Sequence, residues 1–461
     1  MSEIIQYLLR FMVGEHLPDN DEVSRWVGYT SDMTKFTDYK VVIVPSEFFD
    51  NAVYGTPKSI PALPLKTIKG VPFLFGTPDI ERVGNTTVVH ADLVASAYFL
   101  LSRYEELLFR DKRDEHGRFP GRQSIPFRAG FITRPVVDEY GKLIRELLNQ
   151  NGVIVTEPPP SIRKINLTHD VDTPFNCRTW HQVLHHILNG KNPISAIRNK
   201  YRPLLADPYY TFPWILQQNK LLQSILGECR CQSILFFKAG GKTKNDKPRY
   251  NLKGKDVRAL FDLCRELGVT VGLHSSYQAG ITPSLIASEK NTLEEAYRSV
   301  ITHNRHHFLS SREPEDMEYL LLAGITDDYT MGYADVAGFR LSTSLPVRFI
   351  NPVSKRLTSL ILHPLIIMDG TLSEKKYMNL SAEKAEDYCR LLIQNIRDVN
   401  GALTLLWHNT TIASASNYHS ALYQNFVKWF VENPFEPVKS VPSVCINYEA
   451  HPHISTSPCP L

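Results

Sequence analysis

The stretch Lys164-Ile-Asn-Leu-Thr-His-Asp-Val-Asp172 decides how the rest of the chain is interpreted. Its apolar residues predict a buried β-strand that ends in two carboxylates. Side chains two apart on a strand point to the same face, so Asp170 and Asp172 face one site together. Adjacent carboxylates repel unless one keeps a proton or a cation neutralises them. The pair indicates either a divalent metal site with a free base beside it or an aspartate pair that caps the next helix.

Three later segments carry further polar residues of the kinds found in metal sites. His274 ends the apolar run 270–274, and His408 ends the apolar run 402–407. Arg305 and His307 lie on the extended segment 304–308. Each residue alone equally fits a structural role. Together, at the carboxyl ends of strands, they favour a shared site, because carboxylate plus imidazole suits zinc or a similar first-row ion.

Repeated strand-helix order after residue 160 predicts a parallel α/β sheet or barrel. The polar residues follow the strands at their carboxyl ends, where α/β barrels place their chemistry. We predict strands over 164–169, 232–237, 269–273, 325–329 and 402–407, and helices over 215–226, 255–267, 293–302, 315–323 and 381–399.

The proline run Pro158-Pro159-Pro160 predicts a stiff linker and a domain boundary. We therefore expect a smaller α/β domain over residues 1–156 and a distorted (β/α) barrel over 157–461. The first part is predicted to hold strands over 39–45, 72–76 and 87–90, helices over 92–109 and 136–150, and a polar loop over 110–128.

Composition excludes several classes of protein. The chain has 461 residues, 43% of them hydrophobic and 21% charged, with a net charge of +3. This near balance indicates no strong attraction to nucleic acid or to an anionic membrane. The first 17 residues lack a secretory pattern, and no apolar run of about 18 residues predicts a membrane span. Seven scattered cysteines fit reduced thiols, so we expect a cytoplasmic protein.

The order of these motifs resembles the polysaccharide deacetylases of the NodB-homology type, which are carbohydrate esterases of family four. The motifs are Thr-x-Asp-x-Asp, an Ile-Leu-Phe-Phe strand, Gly-Leu-His-Ser, Arg-x-x-Phe and Leu-Leu-x-His, over residues 164–411. The segments 328–333 and 338–340 resemble a bacterial subgroup with an uncharacterised α/β domain in front. The resemblance implies a distorted (β/α) barrel and a divalent metal, usually zinc, that serve to remove N- or O-acetyl groups from saccharides.

The resemblance also implies a role for each matching residue. Asp170 matches the catalytic base, and Asp172 and His274 match metal ligands. Arg305 matches the arginine that orients the base. His408 matches the histidine that acts as general acid or stabilises the tetrahedral intermediate.

The chain departs from the family pattern at one metal ligand. The second metal histidine of the family follows the first by four residues, where this chain has Gln278. His307 follows Arg305 by two, so on an extended segment both face the same side. We predict that His307 supplies the third ligand and Gln278 does not, because catalytic zinc normally has three protein ligands. Tyr277 is predicted to contact substrate.

A second departure is the long stretch between Asp172 and Gln232. Its part 180–205 is basic and carries His181, His185 and His186 at helical spacing. We interpret it as a solvated helical lid or packing insertion rather than a metal site. As a lid, it would present basic residues to an acidic polysaccharide.

The sequence predicts a metal-dependent deacetylase that acts on a saccharide and has no nucleic-acid partner. It does not determine the oligomeric state. Two other functions remain. The Gln278 departure fits a decayed scaffold that only binds carbohydrate, and the barrel fits an enzyme of another class, such as an isomerase.

Overall fold

We describe the protein from a computed structural model, in which residues 1–14, 23–190, 192–414 and 416–433 are described. The described part does not include Cys445, Cys459, Lys191 or the side chain of His181, so the predictions for these residues lie outside it.

The architecture is mixed α/β. The helices cover Ser2–Val13 (α1), Val23–Trp26 (α2), Leu93–Leu101 (α3), Tyr104–Leu108 (α4), Ile125–Arg128 (α5), Val136–Gln150 (α6), Trp180–Leu188 (α7), Pro193–Tyr201 (α8), Phe212–Leu226 (α9), Lys255–Glu266 (α10), Ile286–Tyr297 (α11), Glu318–Leu322 (α12), Asp369–Ser373 (α13), Ala382–Asp398 (α14), Asn409–Ala413 (α15) and His419–Glu432 (α16). The strands cover Val27–Tyr29 (β1), Val41–Ile43 (β2), Lys66–Ile68 (β3), Val71–Phe73 (β4), Gly76–Val83 (β5), Thr86–Ala91 (β6), Lys164–Val171 (β7), Cys231–Lys238 (β8), Thr270–Ser275 (β9), His303–His306 (β10), Asp327–Asp328 (β11), Val347–Asn351 (β12), Arg356–Leu362 (β13), Ile367–Met368 (β14) and Ala402–Leu406 (β15).

A nine-stranded sheet dominates the second part of the chain. Its order is β12-β13-β11-β10-β9-β8-β7-β15-β14, and every pair is parallel except β12 with β13. The central strands are almost wholly buried, which explains their nearly continuous apolar sequences. The predicted parallel α/β sheet is confirmed.

The sheet curls strongly. Three inter-strand steps separate β7 from β10, or about 14 Å in a flat sheet. Yet the Arg305 guanidinium on β10 lies 3.0 Å from the Asp170 carboxylate on β7. Side chains of these lengths meet only if the sheet bends around them. The result is a distorted barrel whose carboxyl edge gathers the polar strand ends.

The segment before residue 157 has sheets of its own. β1, β2 and β6 are parallel and β5 pairs antiparallel with β6, while β3 and β4 form a separate two-stranded sheet. No strand of this segment, within the described residues, joins the nine-stranded sheet. The expected boundary at the proline run remains a prediction.

An apolar core continues from this segment into the barrel. It includes Leu8 and Tyr98 before the proline run, and Leu273, Phe349 and Leu362 after it. Because these side chains pack in one cluster, the two parts of the chain bury much of their apolar surface against each other.

Two predicted helices were wrong in their bounds. The expected helix 92–109 is two helices, α3 and α4, because Arg103 between them adopts a left-handed conformation with φ 60°. The expected helix 293–302 is α11, which Arg298 ends in a left-handed conformation with φ 61°. Within the described ranges, no helix combines the length and hydrophobicity needed to cross a bilayer.

Candidate metal and catalytic site

Three potential metal ligands converge at the carboxyl edge of the sheet. Asp172 directly follows β7, His274 lies on β9, and His307 directly follows β10. One ligand atom from each lies within 4.8 Å of the other two. His274 Nε2 is 3.1 Å from His307 Nδ1 and 3.2 Å from Asp172 Oδ1, and His307 Nδ1 is 3.1 Å from the same oxygen. Elsewhere in the described chain, no comparable group of three occurs.

Outer hydrogen bonds fix the tautomer of each histidine. His274 Nδ1 lies 2.8 Å from the carbonyl oxygen of Arg305, and His307 Nε2 lies 3.0 Å from that of Asn245. A carbonyl only accepts, so each of these nitrogens carries a proton and donates it. The opposite nitrogens then turn their lone pairs inward, as histidines that bind metal do.

The three inward atoms, His274 Nε2, His307 Nδ1 and Asp172 Oδ1, are all electron-pair donors, so together they suit a cation. Two imidazole lone pairs face each other at 3.1 Å beside Asp172 Oδ1, which is buried without a hydrogen-bond partner. Burial lowers the pKa of His307, which favours the neutral imidazole that ligates metal. One carboxylate and two imidazoles suit zinc.

Gln278 takes no part in this cluster. Its side-chain oxygen accepts a hydrogen bond from the backbone amide of Lys242, at 2.9 Å. His307 lies instead where a third donor is needed, on the same side of β10 as Arg305. The structure brings His307, and not Gln278, together with Asp172 and His274, and its role as the third metal ligand remains a prediction.

Asp170 lies beside the donor cluster and is held by Arg305. Its Oδ1 accepts a hydrogen bond of 3.0 Å from Arg305 Nη1, and its Oδ2 is 3.5 Å from His274 Nε2. Arg305 is fully buried, with its guanidinium 4.7 Å from the centre of the Phe236 ring. The buried guanidinium therefore holds the carboxylate in one orientation.

The motif at 328–330 fixes Arg305 from the neighbouring strand. Arg305 Nε donates to the carbonyl oxygen of Tyr329 at 3.0 Å. The fully buried Asp328 accepts from the Asn304 side chain and from the amide and hydroxyl of Thr330, at 2.8, 2.9 and 2.8 Å. These bonds lock β10 to β11, so the motif orients the arginine without touching the donor cluster.

His408 faces both carboxylates from the opposite side. Its Nε2 lies 4.0 Å from Asp170 Oδ2 and 3.6 Å from Asp172 Oδ2. Its Nδ1 donates to Asp369 Oδ1 at 2.8 Å, and its backbone amide donates to Asp369 Oδ2 at 2.7 Å. Burial alone would lower the pKa of His408, but the Asp369 carboxylate raises it to about 10. His408 is therefore protonated at neutral pH.

Asp369 was missed at the level of sequence. It follows the two-residue strand β14 and begins α13, where it is fully buried. A signal was present, because the apolar run 365–368 ends in this aspartate just as the other strands end in site residues. β14 is too short to be recognised by periodicity, so the aspartate looked like an ordinary helix start.

A cavity of about 260 Å³ opens beside these groups. Asp170, Asp172, His307 and His408 line it. The other lining residues are neighbours of these in the chain or come from two further segments: Arg118, Phe308, Leu309, Met368, Gly370, Glu374, Lys376, Tyr377, Leu406, Thr410 and Thr411. Arg118 belongs to the segment before residue 157, in the polar loop expected over 110–128. This loop therefore contributes to the wall of the site, which the sequence did not indicate.

Tyr277 lies behind this wall. Its ring packs edge-on against Phe308, and its hydroxyl is 3.5 Å from Arg312 Nη2. The side chain is buried, and Phe308 is the neighbour that lines the cavity. The structure does not bring Tyr277 together with the other predicted site residues, and its contact with substrate remains a prediction.

The turn that presents His307 is held by the first part of the chain. Phe308 and Leu309 both adopt left-handed backbone conformations, with φ 61° and 54°, which residues with a side chain rarely adopt. The carbonyl oxygen of Phe308 accepts from Arg118 at 2.9 Å. Ser311, two residues beyond Leu309, accepts hydrogen bonds of 3.0 Å from Arg103 at both its carbonyl oxygen and its hydroxyl. We call residues 307–311 the ligand turn.

Comparisons with known proteins add a family match and a fold likeness. A model described as "Family of unknown function (DUF7033)" matches residues 4–152. No curated protein sequence matches the chain. The structure is similar to a Mycobacterium smegmatis protein provisionally described as a polysaccharide deacetylase, with 14% identity, 60% of this chain and 86% of that chain covered, and a TM-score of 0.36. It is also similar to Puue allantoinase, with 12% identity, 60% and 88% covered, and a TM-score of 0.34. Likeness at this level transfers no residue role, so the chemistry rests on the site's own atoms.

Proposed function

We propose that this protein is a metal-dependent hydrolase that removes N- or O-linked acetyl groups from a saccharide. The observation that carries the proposal is the donor cluster of Asp172, His274 and His307 with the separate carboxylate of Asp170 beside it. A divalent cation, for which we propose zinc, would supply a Lewis acid there that polarises the acyl oxygen and lowers the pKa of the attacking water.

Asp170 acts as the general base. It takes a proton from the water whose oxygen forms the new bond to the acyl carbon. Arg305 fixes the orientation of this carboxylate through the hydrogen bond of 3.0 Å. Because Arg305 is itself held by Tyr329 and Phe236, the base has little freedom to turn away.

His408 acts as the general acid. It is protonated at neutral pH because of Asp369, and its Nε2 faces the cavity beside both carboxylates. As the carbon–nitrogen or carbon–oxygen bond breaks, His408 gives its proton to the leaving atom. The products are acetate and a free amine or hydroxyl on the sugar.

The lining of the cavity supports a saccharide substrate. Lys376 and Glu374 are exposed at this cavity, and the Tyr377 ring lies beside them. Charged and aromatic groups together suit the hydroxyl-rich faces of a sugar, since they combine hydrogen bonding with an apolar ring surface. The resemblance of the motifs to the polysaccharide deacetylases points to the same class.

The site's separate roles can be tested by two matched substitutions. Asp170→Asn is expected to abolish acetate release from acetylated saccharides while the protein keeps its metal. Asp172→Asn is expected to lose the metal, measured by elemental analysis of the purified protein. Equal metal loss in both variants would mean that the roles are shared. A metal-free wild type would favour the carbohydrate-binding scaffold, and conversion of unacetylated sugars would favour an isomerase.

The proposal extends to the location and division of the chain. The structure has free thiols at Cys177, Cys229, Cys231, Cys264 and Cys389, which suits a reducing compartment such as the cytoplasm. We also propose that the chain divides at the proline run, with residues 1–156 as the partner domain of the barrel.

A further inference from the structure

A helical hairpin rises from the catalytic edge of the sheet directly after Asp172. Helices α7 and α8 form it, and we call residues 178–206 the basic hairpin. Both of its stems are fixed beside His408, because the Asn409 side chain donates to the carbonyl oxygens of Thr173 and Tyr209, at 3.0 and 2.7 Å. Arg178 anchors the base of the hairpin to Asp256 on α10, with an Nε–Oδ2 distance of 3.0 Å.

The inner side of the hairpin has its own small core. Cys177, Val183 and Ala196 are buried there, with Ile187 packed against them. This core uses Val183 and Ile187 on α7 and Ala196 on α8, and the other apolar side chains of the two helices gain no partner from it.

Each helix also carries exposed apolar side chains that recur at helical spacing beside this core. The stripe on α7 is Trp180, Leu184 and Leu188, and the stripe on α8 is Ile194, Ile197 and Tyr201. Each of these side chains is between 41% and 77% exposed. The rings of Trp180 and Tyr201 meet at 6.2 Å, which joins the two stripes into one surface.

This surface is unusual for the molecule. Of the twenty-one large apolar side chains that are exposed among the described residues, seven fall between Trp180 and Leu205. Scattered single exposed residues are normal, but a contiguous patch of them marks an interaction site.

The charge of the same segment is entirely positive. Residues 173–206 contain Arg178, Lys191, Arg198, Lys200 and Arg202 and no aspartate or glutamate. Lys200 Nζ lies over the rings of Trp180 and Tyr201, at 4.6 and 4.2 Å from their centres. Cationic and aromatic groups therefore share one edge of the apolar surface.

We propose that the basic hairpin docks the protein on an anionic membrane surface. Helices that lie in a membrane interface combine an apolar face rich in Trp, Leu and Ile with Lys and Arg beside it. Trp and Tyr settle at the level of the lipid headgroups, and basic side chains attract acidic lipids. A second copy of this chain is a poorer occupant, because two hairpins with only positive charges repel each other.

Docking would place the catalytic edge against the membrane. The hairpin begins six residues after Asp172, and its stems contact Asn409, the residue after His408. The opening of the site therefore lies near the proposed lipid surface, where saccharides attached to lipids are presented. The docking proposal itself does not depend on the hydrolase proposal.

Vesicle flotation of the full chain tests the docking. Vesicles of phosphatidylcholine alone are compared with vesicles containing about one third phosphatidylglycerol, a lipid with the anionic headgroup that basic segments attract. We expect binding to the anionic vesicles that weakens as salt is raised. The double variants Leu184→Ser with Leu188→Ser, and Arg198→Glu with Lys200→Glu, should each bind at least about tenfold more weakly.

Matched controls separate the hairpin from general changes in surface character. Val300→Ser with Leu322→Ser removes two equally exposed apolar side chains elsewhere, and Lys58→Glu with Lys384→Glu makes the same charge change elsewhere. Both controls should bind as the wild type does, and acetate release from soluble substrate should be unchanged in all variants.

Three results would overturn the proposal. The first would be a wild-type protein that does not float with anionic vesicles, and the second would be hairpin variants that float as well as the wild type. The third is a concentration-dependent dimer in sedimentation velocity that the serine variants abolish while no vesicle binding occurs, which would assign the surface to a second copy of the chain.

Discussion

At the scale of single residues, the site depends on which histidine nitrogen faces inward. His274 turns Nε2 toward the cluster and His307 turns Nδ1, because each donates its other ring proton to a backbone carbonyl. The carbonyl oxygens of Arg305 and Asn245 thus select the tautomers. His307 belongs to the cluster because it follows β10 by one residue, on the side that Arg305 occupies.

The third-ligand assignment predicts unequal effects of two alanine substitutions. His307→Ala removes one of three donors and should weaken zinc affinity at least about tenfold, since even groups that only orient the ligands matter by that much. Gln278→Ala should leave affinity unchanged, because its side chain binds the Lys242 amide instead. Competition with a chromogenic chelator measures both. Loss of zinc in the Gln278 variant alone would refute the assignment.

The pair of Asp369 and His408 predicts a shift in the pH profile. The protonated imidazole is the active form, so kcat falls as pH rises through the pKa of His408, which Asp369 raises to about 10. Asp369→Asn removes the carboxylate that raises this pKa, so the alkaline limb of the profile should move toward neutral pH. Protonation of His408 also stabilises the folded protein, because its pKa is higher in the folded than in the unfolded state. This stabilisation is complete below the unfolded-state pKa of about 6.5 and is lost as pH rises through the pKa of the folded protein.

A matched pair elsewhere provides the control. Asp327 accepts a hydrogen bond of 2.7 Å from His363 Nε2, outside the catalytic cluster. Asp327→Asn removes a carboxylate from a histidine in the same way but should leave the alkaline limb in place. An equal shift in both variants would mean that His408 is not the titrating acid.

At the scale of elements, short irregular segments position the chemistry. The ligand turn places two left-handed residues directly after His307. Such conformations cost about 1 kcal/mol or more each and persist where the surroundings impose them. Here the surroundings are Arg118 and Arg103, from the first part of the chain. The first part of the chain thus reaches a candidate metal ligand through two hydrogen-bonded arginines.

Removal of the Arg118 contact should loosen the metal site. Arg118→Ala deletes the bond to the Phe308 carbonyl, so the ligand turn gains freedom and cobalt or zinc affinity should fall about tenfold. The visible spectrum of the cobalt form should change with it. Arg122→Ala is the control, because Arg122 contacts the carbonyl oxygen of Tyr377 and not the ligand turn. An unchanged cobalt spectrum in the Arg118 variant would show that Arg118 does not hold the metal site in place.

At the scale of the whole molecule, a buried ion network joins the two parts of the chain. Glu106 accepts from Arg103 on its own side and from Arg340 on the barrel side, at distances of 2.6 to 3.1 Å. All three are buried. Arg340 also donates to the carbonyl oxygen of Gly332 at 2.9 Å. The motifs at 328–333 and 338–340 therefore lie where the first part of the chain docks.

Loss of the central carboxylate should destabilise the whole protein. Glu106→Gln leaves two buried guanidinium groups without a counter-charge, so the free energy of unfolding should fall by about 3 to 5 kcal/mol. Glu146→Gln breaks the exposed pair with Lys69, at 2.8 Å, and should cost less than about 1 kcal/mol. Urea unfolding followed by fluorescence measures both. Two independent transitions in the wild type would contradict the joined core.

The same network explains how the expected helix 92–109 came to be broken. Its composition is helical throughout, and nothing local marks Arg103 as a left-handed residue. Arg103 adopts that conformation where it pairs with Glu106 and with Ser311, which is 208 residues away. Propensity describes local preference, and contacts between distant residues override it.

The sequence by itself determined the parallel α/β sheet and the strand ends at which polar residues gather. Both follow from local rules, because burial on both faces makes strands apolar and the chain must turn where they end. The basic hairpin shows the limit of such rules. Its positive charge was visible in the sequence, but the exposure of its apolar stripes became evident only from the packing.

Only the tertiary structure decided which strand ends meet. The curl of the sheet brings β7, β9, β10 and β15 together and adds Asp369, which directly follows the two-residue strand β14. It also brings Arg118 to the cavity from a loop that precedes the barrel. Curvature and docking depend on how side chains distant in sequence pack, so no local pattern contains them. The carboxylates and imidazoles were visible in the chain, but their distances were not.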